Sequence, residues 1–208
     1  MATVHVLDNH PLVRLWLAKL RDERTDPKEF REYMRLISLP LIFEAVSDLA
    51  TRKVLVTTPL DTTSGYCLDE EVRVATILRA ALPMVEAIQQ VIPSAPIHHI
   101  DMHRDEESLQ PIWTRDNLPT DCSTICWLIP DPMLATGGSV IATVDKLERR
   151  GATRVKFIGV IAAPEGVAAI QEKHPNVQIY VAVIDDHLNE IGYIVPGLGD
   201  AGDRLFGT

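Results

Sequence analysis

The sequence predicts an α/β fold in which a twisted parallel sheet is flanked by helices, and three observations carry that expectation. Beyond residue 70, short Val- and Ile-rich runs alternate with helical segments of about ten residues, the pattern of right-handed βαβ units. The chain has 208 residues, 46% hydrophobic and 24% charged. A chain of that size buries about 70% of the surface its unfolded form exposes, so it needs no disulfide or metal to hold its core. No internal repeat, low-complexity tract or long linker divides it, which favours a single domain over residues 1–208.

The elements follow in order. The first fifty residues read as helical. Asp26-Pro27-Lys28-Glu29 is a helix start, with Asp26 as N-cap, Pro27 in the first turn and Glu29 at the reciprocal capping position. Phe30, Tyr33, Met34 and Ile37 then recur at helical spacing, and Pro40 is expected to end or kink that helix before a second segment from Leu41 to Leu49. Strands are expected at 72–78, 97–102, 123–129, 154–162 and 177–184, and helices at 84–91, 140–150 and 165–173, with Gly151 closing the second of these helices. The glycine-rich tail from Asp185 to Thr208 shows no sustained periodicity. A long structureless tail on a compact domain is uncommon and usually functional.

Charge and composition exclude several classes. Twenty basic against 29 acidic residues leave a net charge of −9, which argues against general binding to nucleic acid or to an anionic membrane. The longest apolar runs fall far short of the ~20 residues a membrane helix requires. Met1-Ala-Thr-Val-His-Val has neither a basic nor an apolar stretch of the kind that opens a signal peptide, so a cytoplasmic location is expected. Cys67, Cys122 and Cys126 form no even disulfide framework and no paired zinc knuckle, and read as buried small hydrophobes. His98-His99-Ile100-Asp101-Met102-His103 resembles a metal cluster, but strand alternation puts His99, Asp101 and His103 on one side and His98 on the other. Three residues of one strand rarely converge on one ion. Ser64 and Ser139 have no nearby His/Asp pattern that would support a hydrolase triad.

The strongest motif is Asp131, Pro132, Met133, Leu134, Ala135, Thr136, Gly137, Gly138, Ser139. It follows a buried strand and opens a helix, at the strand end where open α/β sheets bind ligands. Small residues at a helix start offer backbone N–H groups, hydroxyls and the helix dipole to a phosphate. The lysine of a Walker loop is missing, so triphosphate hydrolysis is not implied. Asp131 would repel a phosphate and is placed instead for sugar hydroxyls or a cation. Gly197-x-Gly199-x-x-Gly202 formally matches a dinucleotide fingerprint, but six residues remain beyond it, too few for a helix and a second strand. Its glycines are better read as letting backbone approach a flat ligand.

The 131–139 stretch resembles the phosphoribosyl diphosphate (PRPP) signature of the type I phosphoribosyltransferases, and the chain from residue 10 onward resembles the uracil phosphoribosyltransferase family. Further matching stretches are His10-Pro-Leu-Val13, Thr58-Pro-Leu60, Ile77-Leu-Arg-Ala80, Arg104-Asp-Glu-Glu107, Ala162-Ala-Pro-Glu-Gly-Val167 and Ile184 to Thr208. The resemblance implies transfer of 5-phosphoribosyl from PRPP to uracil, giving UMP and diphosphate. It implies that residues 131–139 hold PRPP with Arg79, Arg104 and Asp200. It implies further that Ile194, Gly199, Asp200 and Ala201 read uracil, and that Asp131, Asp200, Arg79 and Arg104 form the catalytic set. On this view residues 11–50 form a helical N-terminal part, 70–184 a PRPP-binding core and 185–208 a base-binding hood, with an arm over 104–118 able to close over the site. Magnesium would ride on PRPP with no direct protein ligand, GTP would activate, and the chain would form a homodimer or higher homo-oligomer.

Three positions depart from the family pattern. Ala81 and Pro83 stand where glycines are usual in the diphosphate loop, and Pro130 stands where an aliphatic residue is usual before the aspartate. A rival reading of another class, a non-catalytic nucleotide-sensing regulator on the same scaffold, rests only on that altered loop.

Overall fold

The computed structural model describes residues 3–104 and 111–208, with side chains described except at 103, 104 and 111–115. Its elements are β1 (Val4–Val6), α1 (Pro11–Arg21), α2 (Pro27–Ala45), β2 (Thr51–Thr57), β3 (Thr62–Leu68), β4 (Glu71–Ile77), α3 (Leu82–Val91), β5 (Ile97–Arg104) and β6 (Pro111–Asp116). They continue with β7 (Ile125–Pro130), β8 (Met133–Leu134), α4 (Gly138–Arg149), β9 (Arg154–Ala162), α5 (Pro164–Lys173), β10 (Gln178–Ile184), β11 (His187–Leu188), β12 (Ile194–Val195) and α6 (Ala201–Phe206).

The main sheet runs β1-β10-β9-β7-β4-β5-β6, with β8 pairing β9. All its pairings are parallel except β5 with β6. Strand alternation gives each face its own core. Val72, Val74, Ile158 and Tyr180 pack with α1, α2, α3 and α6, while Ala75, Trp127, Phe157 and Ile179 pack with α4 and α5. From β4 the chain crosses to β5 on one side, and from β7 it crosses to β9 on the other. The carboxyl ends of β4 and β7 therefore flank the point where the winding direction reverses, the ligand-binding crevice of open α/β sheets.

The expected strands and helices from residue 70 to 184 all form, with boundaries shifted by no more than a few residues. The first fifty residues depart from expectation twice. Val4–Val6 adds a parallel edge strand to β10. Pro40 does not end its helix: α2 runs unbroken to Ala45, because Ile37, Leu41 and Ile42 are fully buried along one face and tertiary packing outweighs the hydrogen bond that proline removes. The tail is also more ordered than its sequence suggests, with the hairpin β11–β12 and the short helix α6. A helix does follow Gly199, contrary to the expectation that too few residues remained, but it is one of six residues with no strand after it. Between α2 and β4 lies a hairpin that periodicity did not announce: β2 and β3 pair over Thr51↔Leu68 to Thr57↔Thr62. Cys122 and Cys126 are buried and free as expected, while free Cys67 on this hairpin is only partly covered.

Candidate active site

Two walls of the crevice come from the turns after β4 and β7, and the third from the tail. After β4 the Leu78–Arg79 peptide is cis, and Arg79 and Ala80 face the cleft. Across from them stand Asp131, Pro132 and Met133, and closing the third side are Asp200, Ala201, Gly202 and Asp203 at the start of α6. The Arg79 guanidinium rests 5.2 Å from the centre of the Phe206 ring, a cation–π contact that joins the first wall to the third.

Asp131 sits at the junction of this cleft with a smaller groove lined by Asp131 and residues 133–140. Its backbone N–H donates to Ile158 O at 3.0 Å, and its Oδ1 accepts the Met133 N–H at 3.1 Å, so the carboxylate caps its own turn. Burial pushes the Asp131 carboxyl up from 3.8 to about 7, opposed by the Met133 N–H. A half-buried carboxyl held in this way is poised to gain a positive or hydroxylic partner.

The loop beyond it is pinned against β9. Pro132 O accepts from the backbones of Val160 and Ile161, and Leu134 O accepts from Ala163. Gly137 then adopts φ +78° as the N-cap of α4, a conformation only glycine takes cheaply, and a Cβ there would press on Gly166 O at 3.2 Å. Thr136 is exposed at the mouth, and its Oγ1 accepts from Gly138 N at 3.4 Å. The first turn of α4 adds N–H groups that have no partner one helical turn earlier, together with the positive end of the helix dipole. This is an anion-binding geometry built from consecutive residues.

The three positions that departed from the family pattern are accommodated. Ala81 has φ −79° and ψ −4°, an ordinary right-handed conformation that requires no glycine. Pro83 falls in the first turn of α3, where its missing N–H costs nothing, while Ala81 O accepts from Met84 and Val85. Pro130 ends β7 beyond Leu128, where the ladder to β4 has already stopped. The altered loop therefore lends the regulator reading no support.

The structure brings together Arg79, Asp131, Pro132, Met133, Asp200 and Ala201, with Leu134 to Ser139 adjoining. Ile194 and Gly199 lie in the tail but do not line the cleft. Ile194 is buried in β12 and Gly199 is exposed just ahead of α6. Arg104 ends β5, pairing with Pro111 of β6, and its side chain lies outside the described residues, as do residues 105–110 of the expected arm. Among the histidines, His98 is buried with its Nδ1 2.9 Å from Asn117 O, while His99 and Asp101 are exposed. Among the described residues no group of three or more His, Cys, Asp or Glu side chains could hold a metal ion. No helix among them is long and apolar enough to cross a membrane.

Sequence reasoning missed the side chains that hold the tail. Arg21 reaches Gly197 from 176 residues away, and Asp185 and Arg204 hold Gly197 and Leu198 from within the tail at spacings that no local motif announces.

Comparison with known proteins identifies the family. The uracil phosphoribosyltransferase family model matches residues 6–208. Proteins named uracil phosphoribosyltransferase from Roseiflexus castenholzii and Dictyoglomus thermophilum are 49% and 46% identical, over 97% and 98% of this chain and 97% and 99% of theirs. The structure of the AQ2163 protein from Aquifex aeolicus superposes with a TM-score of 0.92 at 34% identity, covering 99% of both chains. A hypoxanthine phosphoribosyltransferase from Staphylococcus aureus, at 14% identity and a TM-score of 0.52 over 77% of this chain and 75% of that one, shares the fold alone. With the family model spanning nearly the whole sequence and the strand-end cleft intact, the chain belongs to the uracil phosphoribosyltransferase family.

Proposed function

We propose that the protein transfers 5-phosphoribosyl from PRPP to N1 of uracil, forming UMP and releasing diphosphate. The observation that carries this reading is the convergence of Arg79, Asp131 and Asp200 on one cleft beside the Ala135–Ser139 anion loop. In this reading the 5-phosphate sits on the amides and hydroxyls of residues 135–139, and Asp131 takes the ribose hydroxyls. Pro132, Met133 and Leu134 shape the wall beneath the ribose. Arg79 and Arg104 grip the diphosphate, where a planar guanidinium can bind two oxygens at once. Asp200 and Ala201 on the cleft wall, with Ile194 and Gly199 in the adjoining tail, orient uracil, which is neutral at pH 7 and must be held by directed hydrogen bonds.

The N1–C1 bond forms as the C1–O bond to diphosphate breaks, and the N1 proton passes to Asp200 or to water. Positive charge develops on the ribose, so alignment of N1 with C1 and neutralisation of the leaving group supply most of the rate. Magnesium would ride on PRPP without a direct protein ligand, beside cleft walls that carry Asp131 and Asp200. Magnesium, when bound on PRPP, supplies charge neutralisation at the diphosphate.

The same reading assigns residues 11–50, 70–184 and 185–208 to helical support, PRPP core and base hood of one cytoplasmic domain. It also includes a homo-oligomer and activation by GTP. Apolar Leu55, Leu60 and Tyr66 stand exposed on the β2–β3 hairpin, surface that a second copy would cover. An assay of UMP formation from uracil and magnesium PRPP, with and without GTP, tests the activity, and sedimentation tests the assembly. Absence of UMP from folded protein at saturating substrates would overturn the reading.

A further inference from the structure

The base loop of the proposed site is fastened to the far end of the chain by one partly buried ion pair. Asp185 follows the last residue of β10, and its side chain is only 3% exposed. Its Oδ2 accepts from Arg21 Nη1 at 3.0 Å and from the backbone N–H of Gly197 at 2.9 Å. Arg21, the last residue of α1, closes a second bond to the same carboxylate through Nη2, and its Nη1 also donates to Gly197 O at 2.8 Å. Both backbone polar groups of Gly197 are thus held by the one pair, 176 residues away from Arg21 in sequence.

Gly197 is the pivot of the loop. It has φ +64°, follows the cis Val195–Pro196 peptide, and passes so close to Ile194 that a Cβ would collide with the Ile194 carbonyl. Ile194 lies three residues before it and Gly199 two residues after. Arg204 grips the next residue: its Nη1 donates to Leu198 O at 3.0 Å, its Nη2 to Asp22 O at 2.6 Å, and its guanidinium lies 4.3 Å from the Phe30 ring centre.

A buried ion pair contributes little net stability, because desolvation offsets most of the Coulombic gain. What a bidentate arginine–carboxylate pair does supply is a fixed geometry. We infer that Asp185 and Arg21 are positioning residues for uracil recognition: through Gly197 they set the backbone of residues 194–201 against the cleft, and they touch no substrate themselves. This rests on the proposed function, which puts uracil against that backbone.

Steady-state kinetics on the full-length chain test it, with uracil and magnesium PRPP varied separately. Asp185→Asn keeps the shape of the side chain but removes the charge that holds Arg21. It is expected to raise KM for uracil about tenfold or more, while KM for PRPP stays within about twofold. Arg21→Lys, which keeps a charge but cannot bridge both partners, should fall between the wild type and Arg21→Met. Arg21→Met/Asp185→Asn should be little worse than either single change, because each breaks the same lock. Equal rises in both KM values, or a fall in kcat alone, would overturn the assignment. If Asp185→Asn fails to fold, Arg21→Lys carries the same test, since that side chain is 25% exposed. Amide hydrogen exchange gives a readout independent of activity: faster exchange across 194–201 with 131–139 unchanged is expected in Asp185→Asn. Unchanged exchange in the tail sinks the lock, whereas a wild-type chain that makes no UMP sinks the functional reading.

Discussion

The two sides of the proposed site, the 131–139 loop assigned to phosphate and the tail assigned to the base, are built by opposite means. The 131–139 loop is local: its turn is capped by its own aspartate, its helix starts on its own glycine, and its outside support is the adjacent β9 and the start of α5. The tail is held from a distance, by Arg21 of α1, by Leu20 and Asp22 at the end of that helix, and by Leu205 packed among the core residues of α2. A local site tolerates change elsewhere in the molecule, because its geometry is set by backbone it carries with it. A site assembled from distant elements inherits every change in their packing, and it can move relative to its neighbour.

The largest effect should come from the local side. Asp131→Asn is expected to lower kcat/KM for PRPP about a hundredfold or more by removing the charge that meets ribose or cation. The same change should stabilise the ligand-free protein. The folded-state pKa of about 7 stands above the ordinary 3.8, so between those values the folded protein holds a proton that the unfolded chain releases. Stability from this group therefore falls as pH rises through that window, and the penalty is complete above it. Asn carries no such penalty and should gain about 2–4 kcal/mol at about pH 8, shrinking to nothing near pH 4, as read by urea unfolding. A variant with wild-type kinetics, or with no pH-dependent gain, would break the account of the loop.

Leu205→Ala strikes the distant side. Leu205 is fully buried, and the truncation should cost about 2–5 kcal/mol. If the two sides are separable, KM for uracil rises while KM for PRPP holds; a parallel rise in both would mean that the tail and the loop move as one body. Phe206→Leu probes the contact between them. Losing the ring under Arg79 should raise KM for PRPP about two- to fivefold, and Phe206→Tyr should restore it. The smallest effect is expected from Ala81→Gly/Pro83→Gly. Neither residue is strained, so turnover should change less than about twofold while thermal stability drops slightly from the added backbone freedom. A gain in PRPP affinity would show that the diphosphate loop is compromised after all.

Legibility followed the same division. Asp131 to Ser139 could be read directly, because an acid, small residues and a helix start occupy consecutive positions and their chemistry needs no partner from elsewhere. Arg79 was legible as the residue after a strand. The β2–β3 hairpin was not, since its side chains are exposed on both faces and leave no in–out alternation to detect. Nor was α6, whose six residues are too few to establish a helical period. Pro40 misled because local propensity argued for a break while three fully buried neighbours held the helix together.

The sequence by itself determined the class of fold, the main strands and helices between residues 70 and 184, the strand–loop–helix junction at 131–139 and the family. Each of these is carried by neighbouring residues or by periodicity along the chain. Only the tertiary structure decided that α1 and the tail meet, that Asp185 and Arg21 share Gly197, and that Arg79, Asp131 and Asp200 face one cleft. Those are contacts between residues far apart in sequence. Their partners are chosen by how the sheet, its two helical layers and the tail pack together, and no stretch of chain records that choice locally.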